Sequence, residues 1–174
     1  MDYDVIIEID KLADLVRRCC LENTIPVNPE DIIYKLEGEI LKPMIKKDHV
    51  DFKIEKNGNR FRIYIDSDSK FMLAKALGWL FINMGYIIDK KKWKDAEDYI
   101  QSIYTCYSNS RVENEYKAEL FALALLMPKN DFIKQVDNNC DKETSEVNID
   151  NIKDFFKVTI DLICKRGKML GVLA

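Results

Sequence analysis

Apolar and polar positions repeat with two different periods along this chain, and the switch between them outlines its elements. From Ile9 to Cys20, the residues Leu12, Leu15, Val16 and Cys19 recur at helical spacing, with Lys11, Asp14, Arg17 and Arg18 between them. That spacing predicts a first helix with the apolar stripe facing inward and the charges in solvent. Asn28-Pro29 reads as an N-cap followed by proline at the first helical position, opening a second helix through Ile32, Ile33 and Leu36 that stops near Gly38. From His49 the period falls to two. Phe52 and Ile54 alternate with Asp51, Lys53 and Glu55, and Phe61, Ile63 and Ile65 alternate with Arg60, Arg62 and Tyr64. Asn57-Gly58 between the two runs predicts a β-hairpin over about 51–56 and 60–66, closed by a type I′ turn whose central residues both need positive φ. Ile40 to Ile45 is a further strand candidate.

After Asp66 the pattern returns to helix, with Ser67 or Asp68 as the cap and an apolar run from Phe71 to Met84. A helix that is apolar on most sides is a buried one. Lys90 to Tyr107 is predicted as another helix, carrying Trp93, Ala96, Tyr99, Ile100 and Ile103. Glu113 to Leu126 is a helix stopped by Met127-Pro128, and residues 137–148 form a polar loop. Two closing helices, Ile149 to Phe156 and Thr159 to Leu170, are joined at Lys157-Val158, with Thr159 as the N-cap. The expected class is α+β, mostly helical with a small antiparallel sheet, in one domain over residues 1–174 that ends in a two-helix element at about 149–171.

Composition narrows the partners. With 27 Lys and Arg against 30 Asp and Glu, the net charge is −3, so the chain as a whole is not built to neutralise phosphates and nucleic acid is not its default partner. Five scattered cysteines without a Cys-x-x-Cys pair, and a start lacking signal-like features, read as reduced thiols in the cytoplasm. No window approaches the roughly 20 apolar residues of a membrane span. The 174 residues, 47% hydrophobic and 33% charged, suffice for a sizeable core.

Tyr116-Lys117-Ala118-Glu119-Leu120-Phe121-Ala122-Leu123-Ala124-Leu125-Leu126-Met127-Pro128 ends in a Phe-Ala-x-x-Leu-Leu-Met-Pro pattern. About forty residues earlier, Phe71 to Leu80 has the apolar framework of a zinc-peptidase helix. Phe156-Lys157-Val158-Thr159 and Arg166 to Leu173 complete the pattern. Over roughly residues 10 to 174 the chain resembles the ImmA/IrrE family of zincin-like metallo-endopeptidases, which implies a zincin-like fold. A zincin helix sets His, Glu and His at i, i+1 and i+4 so that two imidazoles grip the metal beside the general base. Those places hold Lys75, Ala76 and Trp79, and the place of the family's third ligand, a Glu four residues before the Phe, holds Lys117. Two ammonium groups cannot ligate a dication while charged. The resemblance therefore implies a pseudo-peptidase with no catalytic residue, no metal and no cofactor. Family members are associated with helix-turn-helix repressors of mobile elements and stress genes, so the implied role is a regulatory module binding such a repressor.

Other readings of the same residues stand beside this one. Trp79 fits core packing better than an aromatic binding surface, and Lys75, one turn away, has a structural role available in stacking on the indole. The sharper alternative makes Lys75 and Lys117, with Trp79 and Glu119, a binding site for a partner's carboxylate, unless Glu113 or Glu119 pairs with a lysine first. A hydrolase with a non-standard site is a second class, although His49 is the sole histidine and reads as exposed. DNA binding through the closing helices, with Lys165-Arg166-Gly167-Lys168 on the second, is a third. Against it, Ile160, Ile163 and Leu170 are needed for the core. Lys90-Lys91-Lys92 reads as a solvated face.

Overall fold

The computed structural model describes residues 3–21, 24–44, 49–95, 103–107 and 113–173. The described residues form α1 (Tyr3–Cys20), α2 (Pro29–Lys35), β1 (Glu39–Leu41), β2 (Val50–Asn57), β3 (Arg60–Ile65), α3 (Lys70–Ile82), α4 (Lys90–Asp95), β4 (Ile103–Tyr107), α5 (Glu113–Leu126), α6 (Lys129–Asn138), α7 (Ile149–Phe156) and α8 (Ile160–Leu170). The class is α+β, as expected. No helix among the described residues is long and apolar enough to cross a membrane. The chain divides into two compact units, one of Asn28–Ala122 and one of Met1–Val27 with Leu123–Ala174.

The first unit is built on a four-stranded sheet in the order β1-β3-β2-β4. β2 pairs antiparallel with both β3 and β4, but β1 runs parallel to β3, so the sheet is mixed rather than antiparallel. The hairpin sits where predicted. Its turn is shifted by one residue: Asn57 pairs with Arg60, leaving Gly58-Asn59 at the centre with positive φ at Gly58 and not at Asn57. This is the Gly-first pattern of a II′ turn, which replaces the I′ turn expected. Phe52, Ile54, Phe61, Ile63 and Ile65 are buried on one sheet face, and α3 packs against β2 and α2. The cap of α3 is Ser69, whose hydroxyl accepts from the Met72 amide at 3.4 Å, rather than Ser67 or Asp68.

The predicted helix over 90–107 is corrected. Its described part is Lys90–Asp95, and Ile103–Tyr107 is strand β4, held by its ladder to β2. Pairing and burial on a sheet override a helical spacing of apolar residues. Ala96, Tyr99 and Ile100 lie outside the described residues. Trp93 is fully buried, with Lys56 above its ring and bonded to its carbonyl, while Lys91 and Lys92 are exposed. The strand candidate at 40–45 is realised as Glu39–Leu41. Near Gly38 the left-handed residue that follows α2 is Glu37, at φ 59°. Gly38 serves a different need: a Cβ there would lie 2.4 Å from the Phe61 ring.

The second unit is helical. In α1 the buried face is Ile6, Ile9, Ala13, Val16 and Arg17, so the predicted stripe is rotated: Leu15 and Cys19 are exposed and Arg17 is not solvated. Arg17 keeps its charge compensated by bonding Asp14 at 2.8 Å. α6 occupies Lys129–Asn138, where no helix was predicted, and takes in the first two residues of the expected 137–148 loop. Phe132 of α6 stacks on Phe156 of α7 at 6.0 Å. α7 ends at Lys157 in the left-handed conformation, and α8 follows from Thr159, whose hydroxyl makes no cap bond. Ile163 is buried as expected, whereas Ile160 is 45% exposed and Leu170 half-buried, because Met169 and Arg166 fill the inner face instead. Fully buried Arg166 donates to the Met127 carbonyl at 3.0 Å and to Asp10 at 2.5 Å. Removing one partner of such a buried pair typically costs about 3–5 kcal/mol, since a charge is left alone.

Candidate functional site

α3 and α5 meet at Gly78. A Cβ on that residue would lie 2.8 Å from the Ala118 carbonyl and 3.0 Å from both the Ala118 Cα and the Phe121 Cβ, so the helices approach as closely as a glycine permits. Phe81 and Phe121 stack beside the crossing, with centroids 6.0 Å apart. The residues singled out from the sequence lie along these two helices.

Trp79 is buried and stacks on Tyr104 of β4, with centroids 3.6 Å apart and planes 15° from parallel. Core packing is thus its observed state, with the indole face covered by Tyr104. Among the described residues the cations found over rings are Lys53 above Tyr64 and Lys56 above Trp93. Ala76 is fully buried. Half-buried Lys75 makes its electrostatic influence felt at Cys106 of β4. Lys117 pairs with Glu113, one turn earlier on α5, at 2.9 Å. Glu119 is half-buried and, after burial itself, raises the Tyr116 phenol. Lys117 is therefore engaged with Glu113, and His49 is exposed with φ 68°.

Three residues of this region did not stand out in the sequence. Cys106 is fully buried and donates its thiol to Glu115 of α5, itself buried, at 3.2 Å. Burial, and then the Glu115 bond, push the Cys106 thiol up to about 12, with the charge of Lys75 opposing. Burial foremost, with the nearby negative groups, raises the Tyr104 phenol as well. The available signal was the alternation of β-branched and aromatic residues across Ile103-Tyr104-Thr105-Cys106-Tyr107.

Chemically, this neighbourhood offers no imidazole, and its one thiol stays protonated near neutral pH. A zinc ion held as in zincins needs three protein ligands and an open position for water. The places the resemblance gives to those ligands carry two ammonium groups and a stacked indole, which do not fit the ion. Among the described residues no three of His, Cys, Asp and Glu gather as a metal-holding group.

Comparison with known proteins decides how far the resemblance reaches. Residues 92–168 match the Peptidase_M78 family model, the IrrE N-terminal-like domain. The resemblance to the ImmA/IrrE family, which is a family of zincin-like peptidases, holds over this stretch. It takes in β4, Lys117, the Phe121 to Pro128 pattern and all of α6 and α7, and spans a little under half of the chain. α3 lies outside it, so the correspondence of Lys75, Ala76 and Trp79 rests on the apolar framework of that helix. No curated protein matches the chain.

Proposed function

We propose that this chain is a regulatory, protein-binding relative of the zincin-like peptidases that carries out no peptide hydrolysis. What supports the reading most directly is the state of the residues at the family's ligand places. Trp79 stacks on Tyr104, Lys117 is tied to Glu113, Ala76 offers no functional group, and Lys75 is a cation. A zincin works by polarising water between a metal and a carboxylate base, and none of these four side chains performs either task. The partner class we assign is a helix-turn-helix repressor of a phage or mobile element, bound in the cytoplasm without being cut. Binding requires a scaffold and none of the catalytic groups.

The deciding experiment mixes purified protein with repressors encoded beside its gene, with and without added zinc. Stable co-elution on size exclusion with both chains intact is the expected result. Zinc-dependent cleavage of the repressor by the purified protein would overturn the reading.

A further inference from the structure

Asparagine is among the thermolabile residues, because the main-chain nitrogen of the following residue can attack its side-chain amide. A side chain on that following residue hinders the approach, and glycine has none. Asn57 is the one asparagine in the sequence that is followed by glycine.

The hairpin presents this pair at its tip. Asn57 and Arg60 form the last rung between β2 and β3, so the Gly58 nitrogen lies past the end of the paired strands. Gly58 adopts φ 61°, and a Cβ there would meet nothing within 4 Å. Asn57, Gly58 and Asn59 are all exposed, which gives water and base access to the reacting atoms. While Asn57 is extended in the ladder, its side-chain carbon is held away from the Gly58 nitrogen, so the last rung has to open first. Openings at the end of an element cost the least free energy. One residue earlier β2 is pinned, since Lys56 donates to the Trp93 carbonyl at 2.8 Å and lies 4.5 Å from the centre of the Trp93 ring. The tip therefore opens without unpairing the rungs from Phe52 to Lys56.

We propose that Asn57 is a self-modification site of the folded chain, converted to aspartate and isoaspartate through a cyclic imide with Gly58. The Gly58 nitrogen gives its proton to base and bonds to the side-chain carbonyl carbon of Asn57. The bond from that carbon to Nδ2 breaks, and ammonia leaves with a proton taken from water. Water then opens the ring, at the side-chain carbonyl to give aspartate or at the main-chain carbonyl to give isoaspartate. Either product takes the net charge of −3 one unit further negative. The aspartate product sets its carboxylate opposite Arg60, whose guanidinium lies 3.5 Å from Glu37, so that one cation serves two acids. The isoaspartate product routes the main chain through an extra carbon and breaks the register of the last rung. The hairpin tip thus changes charge and pairing with the age of the molecule.

The test holds the full chain in warm, mildly alkaline buffer, with circular dichroism reporting that it stays folded, and follows its peptides by mass spectrometry after digestion. The peptide holding Asn57 is expected to show the amide-to-acid mass increase at least tenfold faster than those holding Asn83 or Asn151, which precede Met84 and Ile152. Gly58→Ala is expected to slow the increase at least tenfold. Should the positive φ keep that variant from folding, Gly58→Asp serves instead, because aspartate tolerates the left-handed region better than alanine does. Conversion of Asn57 in the folded chain no faster than that of the other asparagines would overturn the proposal, and so would an unchanged rate in a folded Gly58 variant.

Discussion

Burial and the Glu115 carboxylate hold the Cys106 proton against the opposing charge of Lys75, and the pH dependence of stability should show it. The ordinary thiol value is 9.0, and in the folded protein it is pushed up to about 12. Below pH 9 both folded and unfolded chains carry the proton and nothing changes. Between pH 9 and about 12 the folded chain alone retains it, so stability falls as pH rises through that window. Urea unfolding of wild type is therefore expected to lose more stability between pH 8 and pH 10.5 than Cys106→Ala does, and parallel curves would contradict the account. How legible such residues are depends on how local their partners are. The Lys117–Glu113 pair lies one turn apart on a single helix, so spacing alone raised it. Cys106 and Tyr104 gain their roles from a ladder to β2, which begins some fifty residues earlier, and no local pattern reports that. Arg17 hides for a related reason: its charge marks it for solvent, and only the orientation of α1 and the Asp14 bond reveal it as buried.

Elements were legible where the signal lay within a few residues. The hairpin follows from Asn57-Gly58 between alternating runs, α5 from its apolar pattern and Pro128, and α7 and α8 from their spacing and the intervening turn. The failures share one cause, which is competition between local periodicity and distant pairing. Trp93, Ala96, Ile100 and Ile103 recur at three and four residues, yet Ile103 belongs to β4 because β2 offers it a partner strand. Pro128 marks the end of α5 and also serves as the N-cap of α6, so a stop signal hid a start. Crossing distance between helices is likewise invisible in a single helix, and Gly78 is its sharpest case. Alanine favours a helix over glycine by about 1 kcal/mol, but its Cβ would meet the Ala118 backbone at 2.8 Å, and overpacking of this kind costs about 1–3 kcal/mol. Backbone cannot rotate aside as a side chain does, so the steric cost wins. Gly78→Ala should lower stability by about 1 kcal/mol or more in urea unfolding, and a stabilised variant would show that α3 and α5 are not pressed together there.

For the whole molecule, the strongest sequence signal was the Phe121 to Pro128 pattern, which falls inside the stretch matching the IrrE N-terminal-like domain, whereas α3 falls outside it. Charge reading at this scale also changes with the structure. The cluster Lys165-Arg166-Gly167-Lys168 loses its arginine to the Asp10 pair, so α8 presents two lysines rather than three cations. Two phosphate contacts give a salt slope of only about −1.8, a weak footing for DNA in a chain with net charge −3. The same electrostatic logic governs zinc. A ligand that binds only the folded state stabilises it by about 4 kcal/mol at a thousand times its Kd, and 1 kcal/mol moves Tm by about 2–4 °C in a chain of this size. A peptidase-type site with tight affinity would thus raise Tm by about 8–16 °C in excess zinc, reversibly on adding a chelator. Here the ion would have to approach the ammonium of Lys75 and displace Trp79 from its stack on Tyr104, gaining no ligand from either. We expect zinc at 100 µM, an order-of-magnitude excess over protein, to raise Tm by less than about 1 °C. A chelator-reversible rise of ten degrees that survives replacement of all five cysteines, Cys19, Cys20, Cys106, Cys140 and Cys164, would place a metal on groups other than the thiols and would end the pseudo-peptidase interpretation.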